Sequence, residues 1–196
     1  MKNTKLITMV EGALIAVAAL LLSFIPVQTP NAAFDLSLGL IPLAIFAMRR
    51  GALAGLASGF VWGLLCIVLG KAFILSIPQV LFEYPIAFAF GGLGGVFSGR
   101  LKRYYKADNN RGILVTLVFA ALTSVIARWF CLFIAGATVW ASYAPESMNP
   151  IFYSFLLNGA SAIANAALLI IVFSAVSRAK ILEQCLTDVY VARKFD

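Results

Sequence analysis

Long apolar runs separated by short polar breaks follow one another along nearly the whole chain. A helix needs about 20 mostly apolar residues to cross a hydrocarbon core roughly 30 Å thick. Six runs qualify: Leu6 to Pro26, Leu36 to Met48, Ala52 to Leu69, Leu75 to Phe97, Ile113 to Thr138 and Ile151 to Val176. The second is short, and Arg49, Arg50 and Gly51 separate it from the third. Composition supports membrane insertion: of 196 residues, 62% are apolar and 12% charged, where a soluble domain has about half and a quarter. Soluble globular classes and disorder are excluded by the same arithmetic. The expected fold is an all-α integral membrane protein, a single six-helix membrane domain over residues 1–196 with a cytoplasmic tail at 177–196.

The basic residues set the expected orientation, because short cytoplasmic loops are enriched in Lys and Arg. With the N-terminus inside, one side holds Lys2, Lys5, Arg49, Arg50, Arg100, Lys102, Arg103, Lys106, Arg111, Arg178, Lys180, Arg193 and Lys194. The other side has Lys71 alone, and Arg128 lies within a span. Six transmembrane helices in an N-in/C-in arrangement follow. Lys2 and Lys5 before an apolar run also resemble the start of a signal peptide, but Asn31-Ala32-Ala33 is a poor cleavage site, so this run counts as the first span. The net charge of +7 reports topology, since it is divided among the loops and forms no face for nucleic acid.

Several chemistries are ruled out by what is missing. Histidine is absent, and Cys66, Cys131 and Cys185 are far apart with no CxxC pair. Zinc sites, histidine bases, Ser-His-Asp triads and disulfide stapling therefore fall away. The string GGLGGVFSG lacks both a preceding strand and a following Lys-Ser/Thr, so it is no phosphate loop. Small residues four apart instead let helices approach closely in lipid. Gly51, Gly55, Gly59 and Gly63 make one such stripe, and Gly91, Gly95 and Gly99 another.

Ionisable groups inside spans are costly and mark ligand sites or pathways. Glu83 lies roughly 12 Å below the outer end of the fourth span, Arg128 roughly 15 Å below that of the fifth, and Asn158 near 10 Å on the sixth, at 1.5 Å per residue. Tyr84 and Trp129 adjoin the two charges, and Trp140 and Tyr153 stand at the outer ends of the fifth and sixth spans. A bland alternative is that Glu83 and Arg128 pair with each other across helices while Trp140 and Tyr153 belong to the interfacial aromatic belt. A carboxylate among aromatic faces suits an organic cation, through charge and cation-π attraction strengthened by dehydration. The Asn amide adds paired donors and acceptors for a heterocycle edge. The residues thus point to a small, flat, cationic or zwitterionic solute taken from outside.

The strings LSIPQVLFEYPIAF (75–88), RWFCLFIAGATVW (128–140) and FYSFLLNG (152–159), with IPLAIFAMRRG (41–51), resemble the thiamine-specific S component of energy-coupling factor transporters over nearly the whole chain. The resemblance implies a six-helix subunit of the bacterial plasma membrane that captures thiamine from outside. It implies docking on a transmembrane coupling protein served by two cytoplasmic ATPases, with no cofactor and no chemistry of its own. The implied thiamine pocket takes Glu83 and Tyr84 from the LEY-type string, Arg128 at a basic position, Gly136 in the wall, Trp140 as the stacking ring, and Tyr153 and Asn158. The first outer loop, Val27 to Leu36, is the implied lid, with Phe34 in place of a family tryptophan. Gly12, Ala13 and Ala16 on the first helix are the implied docking face, although the position four after Ala13 is Val17. The chain departs from the family where a pocket histidine is Leu132 and an aromatic hydroxyl is Phe73.

Two other readings compete. A stand-alone carrier of a heterocyclic organic cation would be favoured by broken helices or an inverted repeat, and residues 1–97 and 98–196 contain no convincing repeat. A membrane enzyme using Glu83 as general base lacks partners, because Glu11 lies at the inner end and Asp35 in the outer loop.

Overall fold

The computed structural model describes residues 4–25, 27 and 34–178, with Arg178 by its backbone alone. Every regular element among them is helical, as lipid demands of a chain that must pair its own backbone N–H and C=O groups. Helix α1 is Thr4–Ser23, α2 Leu40–Arg50, α3 Ala52–Val68, α4 Ile77–Lys106, α5 Asn110–Thr138 and α6 Pro150–Arg178. Four of these, α1, α4, α5 and α6, are long and apolar enough to cross a membrane. Large apolar side chains such as Leu14, Leu53, Ile126, Ile163 and Ile171 stand exposed around the bundle, a surface suited to lipid. Helix α4 continues past the apolar run to Lys106, carrying Arg100, Lys102 and Arg103 on its last turns. The expected tail at 177–196 lies outside the described residues beyond Arg178.

The second apolar run folds differently from expectation. Its helix starts at Leu40 rather than Leu36 and ends at Arg50. Eleven residues reach only about 16 Å at 1.5 Å per residue, half a hydrocarbon core. The residues before it are not helical, and inside a membrane such backbone survives only where protein groups satisfy it. Two side chains of α6 do so. Asp35 N–H donates to Ser161 Oγ at 3.1 Å, Ser37 N–H donates to Asn165 Oδ1 at 2.9 Å, and Asn165 Nδ2 donates to the Asp35 carbonyl at 2.7 Å.

At the opposite end of α2, Gly51 takes φ of 96° and turns the chain directly into α3. Glu11 of α1 anchors this end, accepting from Arg50 Nε at 2.7 Å and from Nη2 at 2.8 Å. The glycine stripes do bring helices together, with two exceptions. Gly55, Gly59 and Gly63 press on the backbone of α4, and Gly95 presses on the Gly51–Ala52 turn. Gly99 faces open space, and Gly51, although Gly95 lies against its backbone, serves the turn rather than a helix face.

A Cβ at position 63 would lie 2.5 Å from the Tyr84 carbonyl atoms and 2.6 Å from Pro85 Cα. We expect Gly63→Ala to destabilise the protein by about 1–3 kcal/mol through overpacking. Gly99→Ala, with nothing to strike, should leave stability unchanged or raise it by about 1 kcal/mol. Thermal unfolding in detergent distinguishes the two.

Candidate functional site

The site forms at the end of the bundle opposite the Glu11–Arg50 pair, where α4 begins. Ser76 caps that start: its hydroxyl accepts from Gln79 N–H at 3.3 Å, and the Gln79 side chain reaches back to Ser76 N–H. One turn later, over Phe82–Ile86, the helix widens to a π-helical turn with Pro85 inside it. Proline has no N–H to give and its ring crowds the carbonyl four residues back, so the backbone must open there. Helix α4 then passes through the α-helical residues Ala87–Phe90 and a 3₁₀ stretch at Leu93–Phe97 before resuming at Ser98. The wide turn carries Glu83 and Tyr84.

Glu83 is half-buried and accepts two hydrogen bonds, one from Gln79 Nε2 and one from the Trp140 indole Nε1. Trp140 stands just beyond α5, ahead of a 3₁₀ turn at Ala141–Tyr143. Its ring lies 5.4 Å from that of Phe73 and 5.2 Å from that of Tyr143, centroid to centroid. Tyr84 Oη accepts from Phe73 N–H at 2.9 Å, so the loop before α4 is held against the same group. Glu83, Tyr84 and Trp140 are thus brought together by three segments.

The Glu83–Arg128 ion pair considered from sequence does not form. Arg128, only 6% exposed, pairs with Asp35 at 3.3 Å and lies over the Phe88 ring at 4.8 Å. Phe88 in turn meets Tyr84 with ring centroids 5.6 Å apart, which links the two charged groups through aromatic contacts. Each charge has its own partner for a local reason. Asp35 enters on the non-helical lead-in to α2, whereas Glu83 faces the N–H donors of Gln79 and Trp140.

A second group of expected residues gathers around Arg128. It lines a cavity of about 20 Å³ with Trp129, Leu132, Asn158 and Asn165, room for about one water molecule. Arg128 Nε and Trp129 Nε1 are buried with no hydrogen-bond partner among the described residues. Asn158 Nδ2 donates to the Ser154 carbonyl at 3.1 Å and to its hydroxyl at 3.2 Å. Gly136 allows this approach of α5 to α6, since a Cβ there would sit 3.0 Å from Asn158 Nδ2 and closer still to Ser154 Oγ. Tyr153 is half-buried on α6, five residues before Asn158. Phe34 is half-buried ahead of α2, and residues 28–33 of the expected lid lie outside the described residues.

Sequence reasoning missed Gln79, Ser161 and Asn165, because attention to ionisable groups passes over amides and hydroxyls. Spacing gives a signal: Gln79 stands four residues before Glu83 and Asn165 seven after Asn158, the same face of a helix in each case. On α1 the expected docking residues separate. Gly12 and Ala13 line a groove between α1 and α3 of about 230 Å³. Ala16 is fully buried within the chain and has no surface to offer a partner, which removes it from that face.

Among the described residues no three His, Cys, Asp or Glu side chains gather to hold a metal. A helical bundle with an apolar exterior and four helices long enough to cross a membrane, carrying a carboxylate and aromatic side chains at one end, defines a multi-pass membrane protein. The thiamine transporter protein family (Thia_YuaJ) matches residues 9–183, and the chain belongs to it. It is 35% identical over 174 residues to the thiamine transporter ThiT of Lacticaseibacillus paracasei, covering 87% of each chain. The thiamine transporter ThiT of Bacillus subtilis is 27% identical over 160 residues, covering 80% of this chain and 83% of that one. The solved structure of ThiT from Listeria monocytogenes superposes with a TM-score of 0.89 at 32% identity, over 94% of this chain and 100% of that one. These relatives are transport proteins of bacterial membranes rather than enzymes.

The Asp35–Arg128 pair generates a test of stability. Removing Asp35 leaves a guanidinium buried without its counter-charge, whereas removing Arg128 leaves a carboxylate whose side chain is 38% exposed. Breaking a fully buried pair from one side costs about 3 kcal/mol or more, and the partial exposure of Asp35 reduces that to about 1–2 kcal/mol. We expect Asp35→Ala to lower the melting temperature more than Arg128→Met, measured without ligand.

Proposed function

We propose that this chain is the thiamine-capturing S component of an energy-coupling factor transporter. It binds thiamine at the outer face, and a shared partner module drives import with ATP. The observation that carries the reading is Glu83, a carboxylate on a membrane-crossing helix held against the Trp140 indole. A carboxylate accepts only, so Glu83 takes the amino N–H groups of the pyrimidine, while Trp140 offers its face to a heterocycle and aromatic faces favour the cationic thiazolium. Tyr84, Gly136, Tyr153, Asn158, Arg128 and Phe34 complete the proposed binding set. Family membership and the names of the relatives support thiamine as the ligand.

The topology proposed is six spans, N-in/C-in. Helix α2 with its satisfied lead-in makes the second crossing and α3 the third, and the division of Lys and Arg between the two sides supports the orientation. The coupling protein would seat an apolar helix in the α1–α3 groove, where Gly12 and Ala13 with Ala54 and Ala57 allow close backbone approach. Leu132, which lines the cavity beside Arg128 without a hydrogen-bonding group, favours a second reading in which the cargo is another small heterocyclic cation.

Titration with thiamine should quench tryptophan fluorescence saturably. Glu83→Gln and Trp140→Ala should each weaken binding about 10- to 100-fold, the value of a charge-assisted hydrogen bond. Saturable binding of other heterocyclic cations with none of thiamine would select the second reading. In liposomes the chain alone should bind thiamine without accumulating it, and uptake should require the coupling protein and ATPases. Uptake by the chain alone would refute the S-component assignment.

A further inference from the structure

We infer that Gln79 is a positioning residue of the ligand site, holding the Glu83 carboxylate in its binding orientation and tying it to the loop that carries Phe73. The inference rests on the proposed role of Glu83. Gln79 is 2% exposed, and a buried primary amide is stable only when its donors and acceptor are engaged. Here both ends are. Nε2 donates to Glu83 Oε2 and to the Phe73 carbonyl, the latter at 3.2 Å. Oε1 accepts from Leu75 N–H at 3.0 Å and from Ser76 N–H at 3.5 Å.

This pattern fixes which way round the amide sits. Two backbone N–H groups can only be met by its oxygen, so its NH₂ is forced toward Glu83. A donor delivered to the carboxylate occupies one of its lone-pair positions and fixes the direction in which that oxygen points. The other oxygen meets the Trp140 indole. Gln79 and Trp140 thereby clamp the carboxylate from two sides, and Gln79 connects it through the Phe73 carbonyl to the ring that packs on Trp140. Capping a helix start requires only the Ser76 hydroxyl and the Gln79 oxygen; the bond to Glu83 is additional to that task.

The test uses the full-length chain in detergent, with thiamine and its desamino analogue, in which hydrogen replaces the pyrimidine amino group. Gln79→Met removes all polar contacts, and Gln79→Asn keeps an amide drawn back by one methylene, out of reach of Glu83. Both variants should bind thiamine about tenfold or more weakly. The preference for thiamine over the desamino analogue should collapse toward unity, because a misaimed carboxylate no longer distinguishes them. Ser76→Ala, which weakens the cap without touching Glu83, should keep the native preference. A purely structural role would reduce both affinities equally and leave the preference intact, and that result would overturn the inference, as would native thiamine affinity in both Gln79 variants. If Gln79→Met fails to fold, Gln79→Asn carries the same two readouts. Failure of the unsubstituted chain to bind thiamine would instead overturn the reading of Glu83 on which the inference rests.

Discussion

In a hydrocarbon environment no water is at hand to pair a backbone N–H or carbonyl, so each departure from helix must be repaired by a protein group. Two departures shape this molecule. Residues 34–39 lead into α2 outside the helix; Ser161 and Asn165 of α6 pair the backbone of Asp35 and the N–H of Ser37, and Leu36 N–H pairs with the Val27 carbonyl. Helix α4 widens at Pro85 and tightens again at Leu93–Phe97, where the Ser124 hydroxyl of α5 accepts from Gly94 N–H at 3.1 Å. The first departure brings Asp35 to Arg128. The second gives Glu83 and Tyr84 a place on a distorted turn facing the end of α5. Both halves of the candidate site thus lie beside departures from regular helix, at which polar side chains of neighbouring helices pair with the backbone.

The two charges, Arg128 and Glu83, are handled separately. Direct pairing of Glu83 with Arg128 would neutralise both and leave little to attract a cationic solute. Arg128 is instead matched by Asp35 and rests on the Phe88 ring, while Glu83 meets only neutral donors. A carboxylate held by neutral N–H groups is not matched by a counter-charge within the chain, which leaves it open to pair with a cationic ligand.

Much of this was legible in the sequence, and the rest was hidden for identifiable reasons. Apolar runs located α1, α3, α5 and α6 to within a few residues, because hydropathy over twenty residues is a strong signal. Glu83, Arg128 and Asn158 stood out since polar groups inside spans are rare. The partner of Arg128 could not be read, because Asp35 looked like a loop residue until the non-helical lead-in placed it within the bundle. The π-turn was similarly obscured: Pro85 signals a distortion but not whether the helix kinks, breaks or widens. Small residues misled at Ala16 and Gly99, because four-residue spacing marks a face without saying whether another chain, this chain or open space lies against it. The strings that resemble the thiamine-specific S components carried the family assignment, and the match over residues 9–183 agrees with it.

The central claim is that Glu83 and Trp140 together form the recognition centre. The most direct measurement is a crystal structure of the chain grown with thiamine. The pyrimidine amino group should lie within hydrogen-bonding distance of Glu83, with a heterocycle against the Trp140 ring and Arg128 still paired with Asp35. Thiamine bound elsewhere, with the Trp140 indole still donating to Glu83 as it does in the free chain, would contradict it.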